Sequence, residues 1–163
     1  MRFKIVSLIA VVSLVAACSS KPTAETATTS GAGAATAPAH AAVAKVMTSQ
    51  EQLNKIGDRV LFGFDQYNLT SGARGDLKKQ AAWLAANGGV RVTVEGHADE
   101  RGTREYNLAL GERRANSVKD YLMTLGVSSD RINTISYGKE RPAIAASNEA
   151  AWRANRRGVT VVR

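Results

Sequence analysis

Residues 95–104 read EGHADERGTR, and no other stretch of the 163-residue chain gathers so many side chains able to do chemistry. Asp99 offers a carboxylate between Gly96 and Gly102, glycines that allow tight turning and close backbone approach. Thr103 stands where a helix would begin, and the free N–H groups of a helix start favour an anion. Arg114 follows Asp99 by fifteen residues. At about 100° per residue, Arg114 shares a flank with Asn107 and Leu110 beside the apolar stripe, whereas Arg113 points to solvent. A long side chain on that flank runs along the core edge and carries its guanidinium to the loop above. An acid facing a guanidinium suits a zwitterion, because Asp accepts from an ammonium and Arg forks onto a carboxylate. The same spacing also suits a structural ion pair that closes the loop, and the residues alone leave both readings open. One charge-assisted contact contributes about 1.5–3 kcal/mol, so a single site of this kind binds in roughly the micromolar to millimolar range.

Catalysis and metal binding have less to stand on. His97 and Asp99 form an H-x-D, but His97 is the only histidine after His40, and no cysteine accompanies it. A metal ligand set or a nucleophile with its base needs more partners than that. The expectation is a strand-end histidine hydrogen-bonded within its loop, with no catalytic residue, no metal and no cofactor. The net charge of +8 and pI near 10.0 raise the question of nucleic acid. From Val46 onward, however, 18 Lys and Arg are interleaved with 13 Asp and Glu, and there is no basic run. A mixed, modestly basic surface predicts no nucleic-acid partner.

The elements that must position these residues follow from periodicity. Residues 59–64 (RVLFGF) alternate, with Val60, Phe62 and Phe64 on one face of a strand. Thr70 or Ser71 caps a helix to about Ala86, with Leu77, Ala81, Leu84 and Ala85 inward and Gly72 and Gly75 weakening its first turn. Val90, Val92 and Val94 make a second strand. A second helix runs from about Arg104 to Leu125 with Leu108, Gly111, Ala115, Val118, Leu122 and Leu125 as its core stripe. Residues 131–137 form a third strand, residues 148–155 a short helix and residues 158–162 a last strand. This order predicts an α+β fold, a mixed α/β sandwich with helices packed on one mixed sheet.

The N-terminus reads as an address. A basic start, the apolar run of residues 5–15 and Ala16-Ala17 predict a signal peptide over residues 1–17. The run is too short to span a bilayer, which takes about 20 residues. Val15-Ala16-Ala17-Cys18 resembles a bacterial lipobox, which makes Cys18, the only cysteine, the lipidation site. In lipoproteins that the motif resembles, a residue such as Ser19 after the cysteine, in place of Asp, implies the outer membrane. Residues 18–49 then make a flexible tether rich in Ala, Thr, Ser, Gly and Pro, ahead of a folded domain over residues 50–163. About 30 such residues reach roughly 30 Å on average and roughly 100 Å when drawn out.

The run EGHADERGTREYNLALGERRANSVKDYL, with FGFDQYNL, SYGKERP and the closing NRRGV, resembles the OmpA-like peptidoglycan-binding domain family over residues 60–163. The resemblance implies that Asp99 and Arg114 bind the diaminopimelate of the peptidoglycan stem peptide. It also implicates Phe64, Asp65 and Leu110, with Gly96, Thr103 and Asn107 in support and residues 155–157 supporting the fold. Diaminopimelate ends in a zwitterion, in agreement with the reading from charge and spacing. With the lipobox, the resemblance implies an outer-membrane lipoprotein held in the inner leaflet through acylated Cys18, its domain facing the periplasm. The partners implied are peptidoglycan and two Tol-system proteins, a periplasmic propeller and an inner-membrane-anchored spanning protein. A role in envelope integrity and in constriction during division is implied with them.

Overall fold

The computed structural model describes residues 47–163; the expected signal peptide, Cys18 and the tether up to residue 46 lie outside them. The order is α1 (Ser49–Ile56), β1 (Arg59–Leu61), α2 (Ser71–Ala86), β2 (Val92–His97), α3 (Arg104–Thr124), a 3-10 turn, β3 (Ile132–Gly138), α4 (Glu149–Asn155) and β4 (Arg157–Val162). Four strands form one sheet in the order β1-β4-β2-β3. β4 runs antiparallel to both β1 and β2, while β2 and β3 are parallel and joined across α3. The α+β sheet-and-helix architecture expected from the sequence is the one the chain adopts.

Each helix starts where side-chain chemistry provides an N-cap. Thr70, Thr103 and Asn148 accept from the backbone N–H three residues on, and Thr48 does so within a capping box closed by Glu51. α1 was not among the expected elements; it has only eight residues and buries only Leu53, too short a span for periodicity to single it out. The core lies between the helices and one sheet face, with Leu77 and Leu84 of α2, Val118 and Leu122 of α3, and Val92, Val94 and Ile132 of the sheet almost fully enclosed. Truncating Leu77 or Leu122 to alanine would cost about 2–5 kcal/mol.

The departures from the expected elements have local causes. β1 ends at Leu61 instead of Phe64: Gly63 follows the buried Phe62, and Asp65 takes a left-handed φ of 54°. The chain therefore leaves the sheet, and Phe64, expected on the strand face of Val60 and Phe62, is 61% exposed. β2 starts later than expected, at Val92, and continues through Glu95, Gly96 and His97, so the site loop begins at Ala98. Ala85 is exposed because the buried stripe of α2 runs through Ala73, Leu77, Gln80, Ala81 and Leu84. Leu108, expected in the core, is 50% exposed. At that level Asn107 and Gly111 face inward, and the backbone of Gly138 lies against the amide of Leu108.

Close approach of backbones fixes the site end of the fold. A Cβ on Gly96 would collide with the carbonyl oxygen of Gly111, and one on Gly111 would meet Ser136 Oγ and the Gly96 carbonyl. The two glycines let α3 lie directly on β2, which sets the height of Asn107, Leu110 and Arg114 above the loop.

Candidate functional site

Gly96, at the end of β2, and Thr103, at the N-cap of α3, bracket the loop that carries Asp99. Gly102 has a φ of 95°, open to glycine at no steric cost, and Asn107 Nδ2 donates to the Arg101 carbonyl at 2.9 Å. Lys139 Nζ donates to the carbonyls of Glu100 and Gly102 from the opposite side. Glu100 in turn accepts from Ser147 and from the Trp152 indole. The loop is thus held at nearly every residue.

Phe64, Asp65, Asp99, Asn107, Leu110 and Arg114, all singled out from the sequence, line one cavity of about 200 Å³. Arg101, Gly102 and Tyr106 complete its wall. Gly96 and Thr103 stand outside it and act on its geometry. Arg113 is exposed on the far flank of α3, its guanidinium 5.8 Å from the Tyr67 ring.

Arg114 is fully buried, and it ties the loop after β1 to the end of β2. Nε donates to the Gln66 carbonyl at 2.8 Å, Nη1 to that of His97 at 2.8 Å and Nη2 to that of Gly63 at 3.0 Å. A guanidinium has five N–H groups, so one on Nη1 and one on Nη2 stay uncommitted. Burial pulls the proton affinity of Arg114 down to about 10, partly offset by Asp99, and the group stays charged at neutral pH.

Asp99 makes no hydrogen bond to Arg114. Its Oδ1 accepts from the Arg101 backbone N–H at 3.2 Å, and its Oδ2 from Arg101 Nη2 at 2.5 Å and Arg156 Nη1 at 3.2 Å. Burial acts to raise the Asp99 pKa, but the hydrogen bonds from Arg101 and Arg156 outweigh it and hold the carboxyl below its ordinary range. Asp65, across the cavity, accepts from the Tyr106 hydroxyl. The cavity therefore offers two carboxylates and two guanidinium groups on one apolar floor formed by Leu110 and Phe64, an arrangement complementary to a ligand of mixed charge.

Three contributors were not legible beforehand. Arg101, Tyr106 and Trp152 come together through contacts across 41 and 52 residues. The sequence does place Arg101 two positions from Asp99, the one signal that could have singled it out. Arg156, expected to support the fold, does so through the Phe62 carbonyl and Glu149 while also touching Asp99. His97 departs from the expected loop hydrogen bond. Neither ring nitrogen has a hydrogen-bond partner, Nε2 lies 3.6 Å from Glu95, and the Arg141 backbone approaches without hydrogen-bond geometry. Burial first, then the charge of Arg157, lowers its pKa to about 4. Among the described residues, no cluster of His, Cys, Asp and Glu could hold a metal ion.

Comparison with known proteins bears on this geometry. The model of the OmpA family matches residues 61–156, which run from the last residue of β1 through α4 and include every cavity residue. A peptidoglycan-associated lipoprotein of Rhizobium meliloti is 46% identical over 132 residues, covering 81% of this chain and 70% of that protein. One from Mesorhizobium japonicum is 44% identical over 160 residues, covering 96% and 89%. The crystal structure of the peptidoglycan-associated lipoprotein from Burkholderia pseudomallei superposes with a TM-score of 0.65 at 36% identity, over 68% of this chain and 98% of that one. With the family model covering more than half its length, and relatives of this identity aligned over most of theirs, the chain belongs to the OmpA family and, within it, to the peptidoglycan-associated lipoproteins.

Proposed function

We propose that the domain binds peptidoglycan without covalent attachment, taking the free end of a diaminopimelate side chain into the cavity between Asp99, Asp65 and Arg114. The observation that carries this reading is the cavity itself, where opposite charges face each other across an apolar floor in a chain whose relatives are named for peptidoglycan. The ligand ammonium goes to the carboxylates of Asp99 and Asp65. The ligand carboxylate goes to the guanidinium side of the wall and the field of Arg114. Leu110 and Phe64 cover the methylenes between the two charges. The chemistry is recognition, with no bond made or broken.

Acylation at Cys18 and a tether to residue 49 would hold the domain beneath the outer membrane, facing the periplasm. Weak individual sites then suffice, because tethering and a polymeric ligand raise the effective concentration. Work within the Tol system, with its periplasmic propeller and its inner-membrane-anchored spanning protein, and support of constriction during division belong to the same proposal.

A second reading makes the domain a protein-interaction module in which Asp99 and Arg114 are structural. It draws support from the internal hydrogen bonds that already occupy both side chains. Co-sedimentation of the full chain in detergent with purified sacculi separates the two. Wall binding predicts that wild type and Arg113→Ala pellet while Asp99→Asn and Leu110→Glu stay in solution. If all four pellet alike, the cavity is not the wall site and the interaction reading takes its place.

A further inference from the structure

Three arginines meet around the cavity, and only one of them is free to leave. Arg114 gives all three of its nitrogens to backbone carbonyls. Arg156 spreads over the Phe62 carbonyl, Glu149 and Asp99 with its side chain 6% exposed. Arg101 has no such lock. Its guanidinium makes one hydrogen bond, to Asp99 Oδ2, and its Nε is buried without a partner. What otherwise holds it is stacking, with the Phe64 ring 4.1 Å away on one side and the Trp152 ring 4.2 Å away on the other.

The stacking gain and the loss from a buried, unsatisfied N–H are of similar size and opposite sign. The pose is therefore poorly anchored apart from its bond to Asp99. That bond occupies the place where a ligand cation would bind. Asp99 is 4% exposed, and its oxygens are taken up by the Arg101 backbone, the Arg101 guanidinium and Arg156.

We propose that Arg101 is a displaceable internal ligand of Asp99, a side chain that fills the cation position of the empty cavity and so decides what the cavity accepts. The proposal rests on the wall-binding reading. A ligand ammonium exchanges for the guanidinium one for one, and Asp99 keeps its balance of charge because Arg156 holds it from beneath. A ligand with no cation has nothing to exchange and is refused. The Arg101 backbone N–H remains on Asp99 Oδ1, so release needs only side-chain torsions, with the loop left in place. Release also separates the guanidinium from the Trp152 indole.

That separation makes the exchange visible. The full chain in detergent is titrated with the disaccharide tetrapeptide carrying meso-diaminopimelate, following both binding and tryptophan fluorescence. Trp152→Phe identifies the signal, since Trp83 is the only other tryptophan. Binding to the wild type changes the Trp152 fluorescence. Arg101→Ala and Arg101→Gln bind roughly tenfold more tightly, as expected when a self-occupied state no longer competes, and give no fluorescence change. Weaker or unchanged binding by both variants overturns the proposal, as does wild-type binding with Trp152 undisturbed. If the wild type binds no better than Asp99→Asn, the wall-binding reading itself fails and Arg101 has nothing to regulate.

Discussion

Replacing Arg114 should unfold the site before it weakens any ligand. Its guanidinium donates to the carbonyls of Gly63, Gln66 and His97, and the bond to His97 is buried; the Gly63 carbonyl also accepts from the Gln66 N–H at 3.3 Å. Arg114→Met keeps the stem but takes the guanidinium from the buried His97 carbonyl and the part-buried Gln66 carbonyl, and leaves Gly63 with its longer bond from Gln66. A buried acceptor that loses its donor costs about 1–3 kcal/mol, and a part-buried one less, so the sum is about 2–4 kcal/mol. For a domain of this size that lowers the melting midpoint by roughly 10–20 °C. Arg114→Lys retains the charge, but a single ammonium cannot reach three diverging carbonyls, and it recovers about half of the loss. Urea unfolding followed by circular dichroism measures both variants. A loss under about 1 kcal/mol for Arg114→Met would refute the reasoning, because the bonds would then carry no net stability. The consequence for function is direct: loss of wall binding in an Arg114 variant mixes a broken loop with a missing charge, so Asp99 is the cleaner probe.

Gly96→Ala should cost about 3 kcal/mol or more, since the added methyl meets the backbone carbonyl of Gly111 and neither backbone can rotate away; thermal melts within about 1 kcal/mol of wild type would contradict the close packing of α3 on β2. The buried His97 gives a pH signature with a definite sign. Its folded pKa of about 4 lies below the ordinary 6.5, so as pH falls below 6.5 the unfolded chain takes up a proton that the fold refuses, and stability declines until about pH 4. At pH 5 the loss is about 2 kcal/mol, measurable by urea unfolding at pH 7 and pH 5. His97→Leu should remove that slope, and an identical slope in the variant would place the titrating group elsewhere. Asp99, whose pKa is lowered, contributes in the more acidic window, where its carboxylate is finally protonated.

How far the sequence revealed this arrangement depended on the kind of contact involved. Helix starts at Thr70, Thr103 and Asn148 were visible because a cap is local chemistry. The buried Leu77, Val118 and Leu122 were visible because periodicity repeats along one element. Placement of Arg114 beside Asn107 and Leu110, with Arg113 turned outward, followed from helix geometry alone. Partnership was harder to read. Asp99 bonds to Arg156, 57 residues on, and Asp65 to Tyr106, 41 residues on, through a sheet order that brings β4 between β1 and β2. The exposed Phe64 and Leu108 misled for a related reason. Hydrophobic alternation cannot reveal that Asp65 turns the chain out of the sheet, or that Gly138 closes the core beneath Leu108.

The most direct measurement is a chemical-shift titration of the full chain in detergent micelles with two stem tetrapeptides that differ at one side chain. One carries meso-diaminopimelate, with an ammonium and a carboxylate at its end, and the other carries lysine, with the ammonium alone. A cavity built for a zwitterion predicts that the first shifts the amides of Asp99, Arg101, Tyr106 and Leu110 while the second leaves them nearly still. Equal shifts from both peptides, or shifts confined to residues outside the cavity, would contradict it.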